Sequence, residues 1–325
     1  MSGLFDSSGT GGGGSSGNVS GSMNSAAGTL PRASLDRALG ARHARRAGTA
    51  AFIQRSLVRL SAVLTLAILV SIIAYIAVMG IPHISGDLFS LSYNSTNLSL
   101  MPALINTLLM TVLSLAIALP LGLGAAIFLV EYTGRSNRFV QIVRLMAETL
   151  TGIPSIVYGL FGLLFFVTAL GWHLSLLSGA LTLAIMILPV ILRTAEEALK
   201  AVPDAYREGS FSLGAGRLRT VLKVLLPAAI PGILAGVILS IGRIFGESAA
   251  LIFTAGTVAE LPESLFDSTR TLSVHMYVLA SEGLHIDKAY ATAVVLLVIV
   301  FAINMLSAFV AGRLTQGEGK GEGNA

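Results

Sequence analysis

The chain has 325 residues, of which 54% are hydrophobic and only 12% charged, with a mean hydropathy of +0.81. A water-soluble domain carries about a quarter charged residues, so most of this chain's surface must face lipid. The net charge of +4 does not point to nucleic acid, because the basic residues lie between apolar runs, and the lack of cysteine excludes disulfides and thiolate metal sites.

In chain order, residues 1–50 are expected to form a flexible tail: a Gly/Ser tract, GTGGGGSSGNVSGS, followed by a basic stretch with Arg32, Arg37, Arg42, Arg45 and Arg46. Such a composition buries too little apolar surface to offset the entropy of ordering. The tail lacks the short apolar core and cleavage site of a secretory signal, so the first helix is expected to be retained. Apolar runs long enough to cross a bilayer follow at about 57–79, 102–130, 147–170, 175–195, 228–254 and 289–311. This predicts an all-α, polytopic membrane protein of about six transmembrane helices within residues 51–315, with 316–325 as a flexible C-terminal tail.

Lys and Arg divide unevenly among the connecting segments. Seventeen fall at the termini and in the segments around Arg135–Arg144 and Lys200–Lys223, against Arg270 and Lys288 in the others. The positive-inside bias therefore places both termini in the cytoplasm.

The inside segment of about 196–226 is long and amphipathic, and is interrupted by Pro203 and by Gly214-Ala215-Gly216. A simple connection needs only a few residues. This one predicts two short helices around a glycine turn, offered as a docking knob. No GxxxxGK[ST] phosphate loop occurs in the sequence. Energy for any active transport must come from another subunit, and no enzymatic activity is expected.

Ionisable residues inside the spans call for a reason, since a charge at a helix centre costs roughly 2.5–3.5 kcal/mol even on a mild scale. The fifth span contains Arg243 and Glu247, four apart and expected on one helix face. The fourth ends with Arg193 and Glu196, one turn past Pro189. Arginine presents a planar fork suited to phosphate oxygens. Glutamate beside an anion makes sense if the anion carries a proton, as hydrogen phosphate does and sulfate does not. Glu148 opens the third span and reads more readily as a first-turn acid than as a pathway residue. Gly152-Ile153-Pro154-Ser155 predicts a kink whose freed carbonyl a serine helps to satisfy. Gly232 with Gly236 and Gly242 with Gly246 make two GxxxG steps, suited either to packing within the chain or to a subunit interface.

The 207–227 stretch resembles the signature of binding-protein-dependent ABC permeases. Arg207, Glu208, Gly209, Gly214, Leu226 and Pro227 take its places, with Gly209-Ser210 standing where the family has two alanines. Further stretches, PLGLGAAIFLVEYTG, ETLTGIPSIVYGLFG, LPVILRTAEEALKAVP and SIGRIFGESAAL, are similar to the PstA-type permease of the phosphate importer. The resemblance covers about residues 100–312. It implies a type I ABC importer permease in a bacterial inner membrane, not itself a nucleotide-binding chain. The implied partners are a second, PstC-type permease, two copies of a PstB-type ATPase that uses ATP and Mg, and a periplasmic PstS-type phosphate-binding protein. It further implies that Arg193, Glu196, Arg243 and Glu247 lie on the phosphate path and that the 207–227 residues dock on the ATPase. The alternatives are an ABC permease for phosphonate, sulfate or molybdate, a secondary transporter or channel, and a non-transporting membrane scaffold or sensor.

Overall fold

The computed structural model describes residues 32–133 and 138–318. The chain divides into two units, residues 1–68 and 69–325. The described part of the first belongs to helix α1 (Arg32–Gly80), whose side chains are exposed from residue 54 to the end of that unit. The basic half of the expected tail is thus helical from Arg32. The Gly/Ser tract and the residues after 318 lie outside the described residues.

In the second unit, helix α2 (Met101–Ile127) continues through a wider π turn to Tyr132. Helices α3 (Arg138–Thr151), α4 (Ser155–Gly162, prolonged by a π turn to Ala169) and α5 (Leu176–Ala201) follow. The short α6 (Asp204–Ser212) and α7 (Arg217–Thr220) lead through a π turn into α8 (Leu226–Gly246). Helices α9 (Ala249–Thr254), α10 (Leu272–Glu282) and α11 (Ile286–Glu318) complete the order. The described residues contain no strand. In lipid no water is present to satisfy a backbone amide, and a helix satisfies its own. Among the described residues, five helices are long and apolar enough to cross a bilayer, or six if the bent α3–α4 pair counts as one.

Helix α5 is the hub. Of its most apolar stretch 67% is buried, against 28% for α2 and 17% for α11, because α2, α3, α4, α8 and α9 all pack on it. Lipid gives no hydrophobic drive between helices, so these contacts depend on small residues and shared hydrogen bonds. The Ser114 hydroxyl donates to its own turn at Met110 and across to the Ala180 carbonyl of α5, 3.0 Å away. Gly232 and Gly236 on α8 meet Ala198 and Thr194 of α5, and Gly122 on α2 meets Ile191. The first GxxxG step is therefore internal packing. A Cβ at Gly242 or Gly246 would meet no atom of the chain within 4 Å. Outward-facing Leu108, Val112, Leu164, Leu239 and Phe301 form the apolar exterior.

Two expected spans are corrected. The third is no single helix over 147–170, because it bends by 100° between α3 and α4. Pro154 has no amide to continue the ladder and starts α4 from an extended backbone. The freed Leu150 carbonyl accepts from the Tyr158 hydroxyl at 2.7 Å, so a tyrosine fills the place expected of a serine. The fifth span does not run unbroken over 228–254. α8 stops at Gly246, Glu247 is extended, and α9 starts two residues later.

The packing of α8 on α5 yields a test. Gly236→Val would force its new side chain into Thr194 and is expected to cost about 1–3 kcal/mol. Gly242→Ala meets nothing and gains about 1 kcal/mol of helix propensity. Thermal unfolding of the purified chain in detergent reads both, and equal melting temperatures for the two variants would contradict this packing.

Candidate functional site

Pro203 breaks the chain after α5, and α6 and α7 form a hairpin around Leu213–Gly216. Gly214 supplies the left-handed turn with φ +79°. The Ser210 and Thr220 hydroxyls lie 2.8 Å apart and tie the two helices together. Leu213 is 90% exposed, and Tyr206, Phe211 and Leu218 are exposed beside it. Glu208, Gly209 and Gly214 share this open surface. Leu226 and Pro227 instead sit at the root of α8.

Arg207 points inward. Its Nε and Nη2 donate to Glu131 Oε1 at 3.1 and 2.9 Å, its Nη2 to the Leu199 carbonyl, and its Nη1 to the Val202 carbonyl and to Asp204. These are the last carbonyls of α5 and the carboxylate at the end of α2. A cation is favoured there by the helix C-terminus. Of the residues assigned to the docking segment, Arg207 is thus the one that anchors it.

Close to this anchor lies a cleft of about 200 Å³, lined by Arg144, Glu148, Arg193, Glu196, Glu197 and Lys200. Arg193 and Glu196 both line it but do not pair. Arg193 Nε donates to Glu197 at 3.0 Å in an exposed i,i+4 pair, with Glu148 in electrostatic reach. Glu196 is only 5% exposed and accepts from Arg144 of α3 and from Lys200 Nζ, the latter at 2.7 Å. The lining carries three cations and three carboxylates, so the cleft is formally neutral. Sequence reasoning missed Arg144, Glu197 and Lys200 as members of this site. Arg144 and Lys200 had been absorbed into the positive-inside count, and an ion pair across 52 residues leaves no local pattern.

Arg243 and Glu247 do not share a helix face, which corrects the expectation from their spacing. Arg243 stands half-buried on the last turn of α8, and its charge reaches Tyr158, the residue that bridges the α3–α4 break. It forms no ion pair among the described residues. Glu247 is buried just past the end of α8, where its Oε1 accepts from the Ala250 amide at 3.0 Å and so caps α9. Its backbone carbonyl accepts from the Ser273 hydroxyl of α10. Gly-Glu-Ser before an apolar run is a stop-and-cap signal that the continuous hydropathy concealed. No group of His, Asp and Glu among the described residues could hold a metal ion.

Two of the cleft carboxylates, Glu196 and Glu197, differ in what their loss exposes. Glu196→Gln leaves Arg144 and Lys200 without their shared partner and is expected to destabilise the chain by about 1–3 kcal/mol. Glu197→Gln breaks only an exposed pair and should leave the melting temperature of the purified chain unchanged. Equal losses would contradict the assigned pairing.

A family model described as "binding-protein-dependent transport system inner membrane component" matches residues 118–317. The probable ABC transporter permease protein YqgI of Bacillus subtilis (strain 168) is 35% identical over 264 residues, covering 76% of this chain and 90% of that protein. The phosphate transport system permease protein PstA of Mycobacterium leprae (strain TN) is 34% identical over 221 residues, covering 66% of this chain and 72% of that protein. Among solved structures, a bacterial alginate ABC transporter in complex with an alginate pentasaccharide-bound periplasmic protein superposes with a TM-score of 0.61 at 16% identity, over 81% of this chain and 95% of that chain. At that identity the likeness is one of fold. The family match takes in the last third of α2 and nearly everything described after it, charged cleft and α6–α7 hairpin included, so the chain belongs to the binding-protein-dependent transport system inner membrane components, the non-catalytic permease subunits of ABC importers.

Proposed function

We propose that this permease carries inorganic phosphate into a bacterial cell, forming half of the translocation pathway and taking its drive from a separate ATPase at the α6–α7 hairpin. The observation that carries the drive is the hairpin itself, an exposed apolar tip at Leu213 hung from the helix ends by the half-buried Arg207. An apolar tip rimmed by charge is suited to a protein groove. The Lys and Arg distribution puts this end in the cytoplasm and both termini with it.

Phosphate is supported by the similarity to the PstA permease of Mycobacterium leprae and by the chemistry of Arg243. Its guanidinium has no carboxylate partner among the described residues, so the anion itself supplies the missing charge. Glu247, four residues along the chain, offers the carboxylate oxygen not engaged by the Ala250 amide to the proton that hydrogen phosphate carries and sulfate lacks. A second permease, of PstC type, contributes the other half of the path. Two PstB-type ATPases bind the ATP and Mg, and a PstS-type binding protein delivers phosphate on the outer side.

The test is uptake of radiolabelled phosphate by vesicles reconstituted with the companion subunits. Uptake is expected to require ATP on the α6 side and to resist excess sulfate. Arg243→Gln should reduce it by about tenfold or more while the importer still assembles. Leu213→Asp should abolish it without altering the melting temperature of the isolated chain. Sulfate uptake in place of phosphate overturns the substrate, and uptake without nucleotide overturns the coupling.

A further inference from the structure

Buried polar groups without partners gather at the end of the second unit opposite α6, where α2 begins. Arg270 lies in the loop between α9 and α10 and is 4% exposed. No carboxylate pairs with it among the described residues. Its Nη1 reaches the Thr257 carbonyl only at 3.5 Å, and its Nε and Nη2 have no hydrogen-bond partner. Asn106 Nδ2 donates to the carbonyls of Glu260 and Arg270, while Asn106 Oδ1 receives nothing. Thr269 Oγ1 and both ring nitrogens of His275 are also unpartnered. One ring joins the set: the Arg270 guanidinium lies 4.7 Å from the centroid of Tyr93, and His275 meets the same ring edge-on at 6.1 Å.

A buried cation without a counter-charge is unfavourable, and here the N-terminus of α10 adds to the positive field. His275 does not add charge. Burial first, and then the Arg270 charge, hold its pKa down at about 3, against a small opposing effect of the Leu98 backbone. The unused groups are therefore the side-on Nε–Nη2 fork of Arg270, the Thr269 hydroxyl and the Asn106 acceptor. The fork matches two oxygens of a carboxylate or an oxyanion. An acceptor-only anion such as sulfate would leave Asn106 Oδ1 unsatisfied, whereas a protonated oxyanion brings it a hydroxyl.

The geometry points to an outer binding site for hydrogen phosphate, with the Arg270 fork on two oxygens and Asn106 Oδ1 accepting from the phosphate hydroxyl. This rests on the phosphate-importer reading and adds to it a station before Arg243. Tyr93 is the lid. Its ring is half-buried over the guanidinium and packs on Leu98, Leu279 and Ala289, on a segment with the local turns of Asn94 and Asn97, and the arriving anion takes its place. Ser273, three residues beyond Arg270, donates to the Glu247 carbonyl, so the outer site is wired to the α8–α9 junction where the inner one lies.

The experiment is equilibrium binding of radiolabelled inorganic phosphate to the whole importer in nanodiscs, without ATP or binding protein. Arg270→Gln removes an unpaired buried charge and should leave thermal stability intact. Arg270→Lys keeps the charge and loses the fork, and decides the matter if the Gln variant fails to fold. Each is expected to weaken the outer class of sites by about tenfold or more, with the Arg243 class unchanged. Tyr93→Ala is expected to tighten it. Wild-type binding in both Arg270 variants, or displacement of outer-site phosphate by equimolar sulfate, overturns the proposal. ATP-driven phosphate uptake by the wild type separates the two readings. Uptake together with unaltered Arg270 variants sinks the outer site alone, and neither uptake nor binding of phosphate sinks both.

Discussion

Arg207 stands where several negative ends converge: the Glu131 carboxylate at the end of α2, the Leu199 and Val202 carbonyls that finish α5, and Asp204 at the start of α6. The last carbonyls of a helix have no partner of their own, and a cation among them satisfies hydrogen bonds and dipole together. The Glu131 and Arg207 side chains are only 9% and 16% exposed, so separating them would strand a charge in a poor solvent. The hairpin therefore cannot swing independently of the bundle. A displacement applied at Leu213 is carried into α2 and α5 at once, which is the mechanical property a coupling element needs.

From there the path to Arg243 consists of rigid parts in close contact. α5 bears the cleft on one side, and α8 is seated on it through Gly232 against Ala198 and Gly236 against Thr194. Helices that approach through glycine transmit a shift with little slack, because no long side chain stands between the backbones to absorb it. α8 ends at Arg243 and its capped junction. Nearer the end of α8, Gly242 and Gly246 stand open and offer a surface on which a neighbouring helix could approach equally closely.

Most of the spans, the hairpin and its glycine turn were legible because each follows from local rules: apolar length, and proline and glycine punctuation. The ion pairs were not. Spacing alone favoured Arg193 with Glu196, yet Glu197 stands one residue further on the same helix, and Glu196 is drawn inward by Arg144 from a different element. Arg207 was read as facing a partner, although only the fold brings Glu131 from 76 residues away to meet it. The break after Gly246 was hidden for another reason. A capping signal sat inside an apolar run, and hydropathy outweighed it in the reading although not in the structure.

Charge balance suggests why the site has this arrangement. In the cleft near α6 every cation has a carboxylate: Arg144 and Lys200 share Glu196, and Arg193 has Glu197. Arg243, deeper in the bundle, has none among the described residues. On the proposed function, an anion would be held where the protein leaves a positive charge uncompensated and would meet a neutral surface on its way to the α6 end. Transport demands that binding be strong enough to enter and weak enough to leave. A pathway that kept free arginines up to its exit would trap its cargo, so on the proposed function the pairing of Glu196 and Glu197 with the cations near α6 would serve release as directly as the unpaired Arg243 would serve capture.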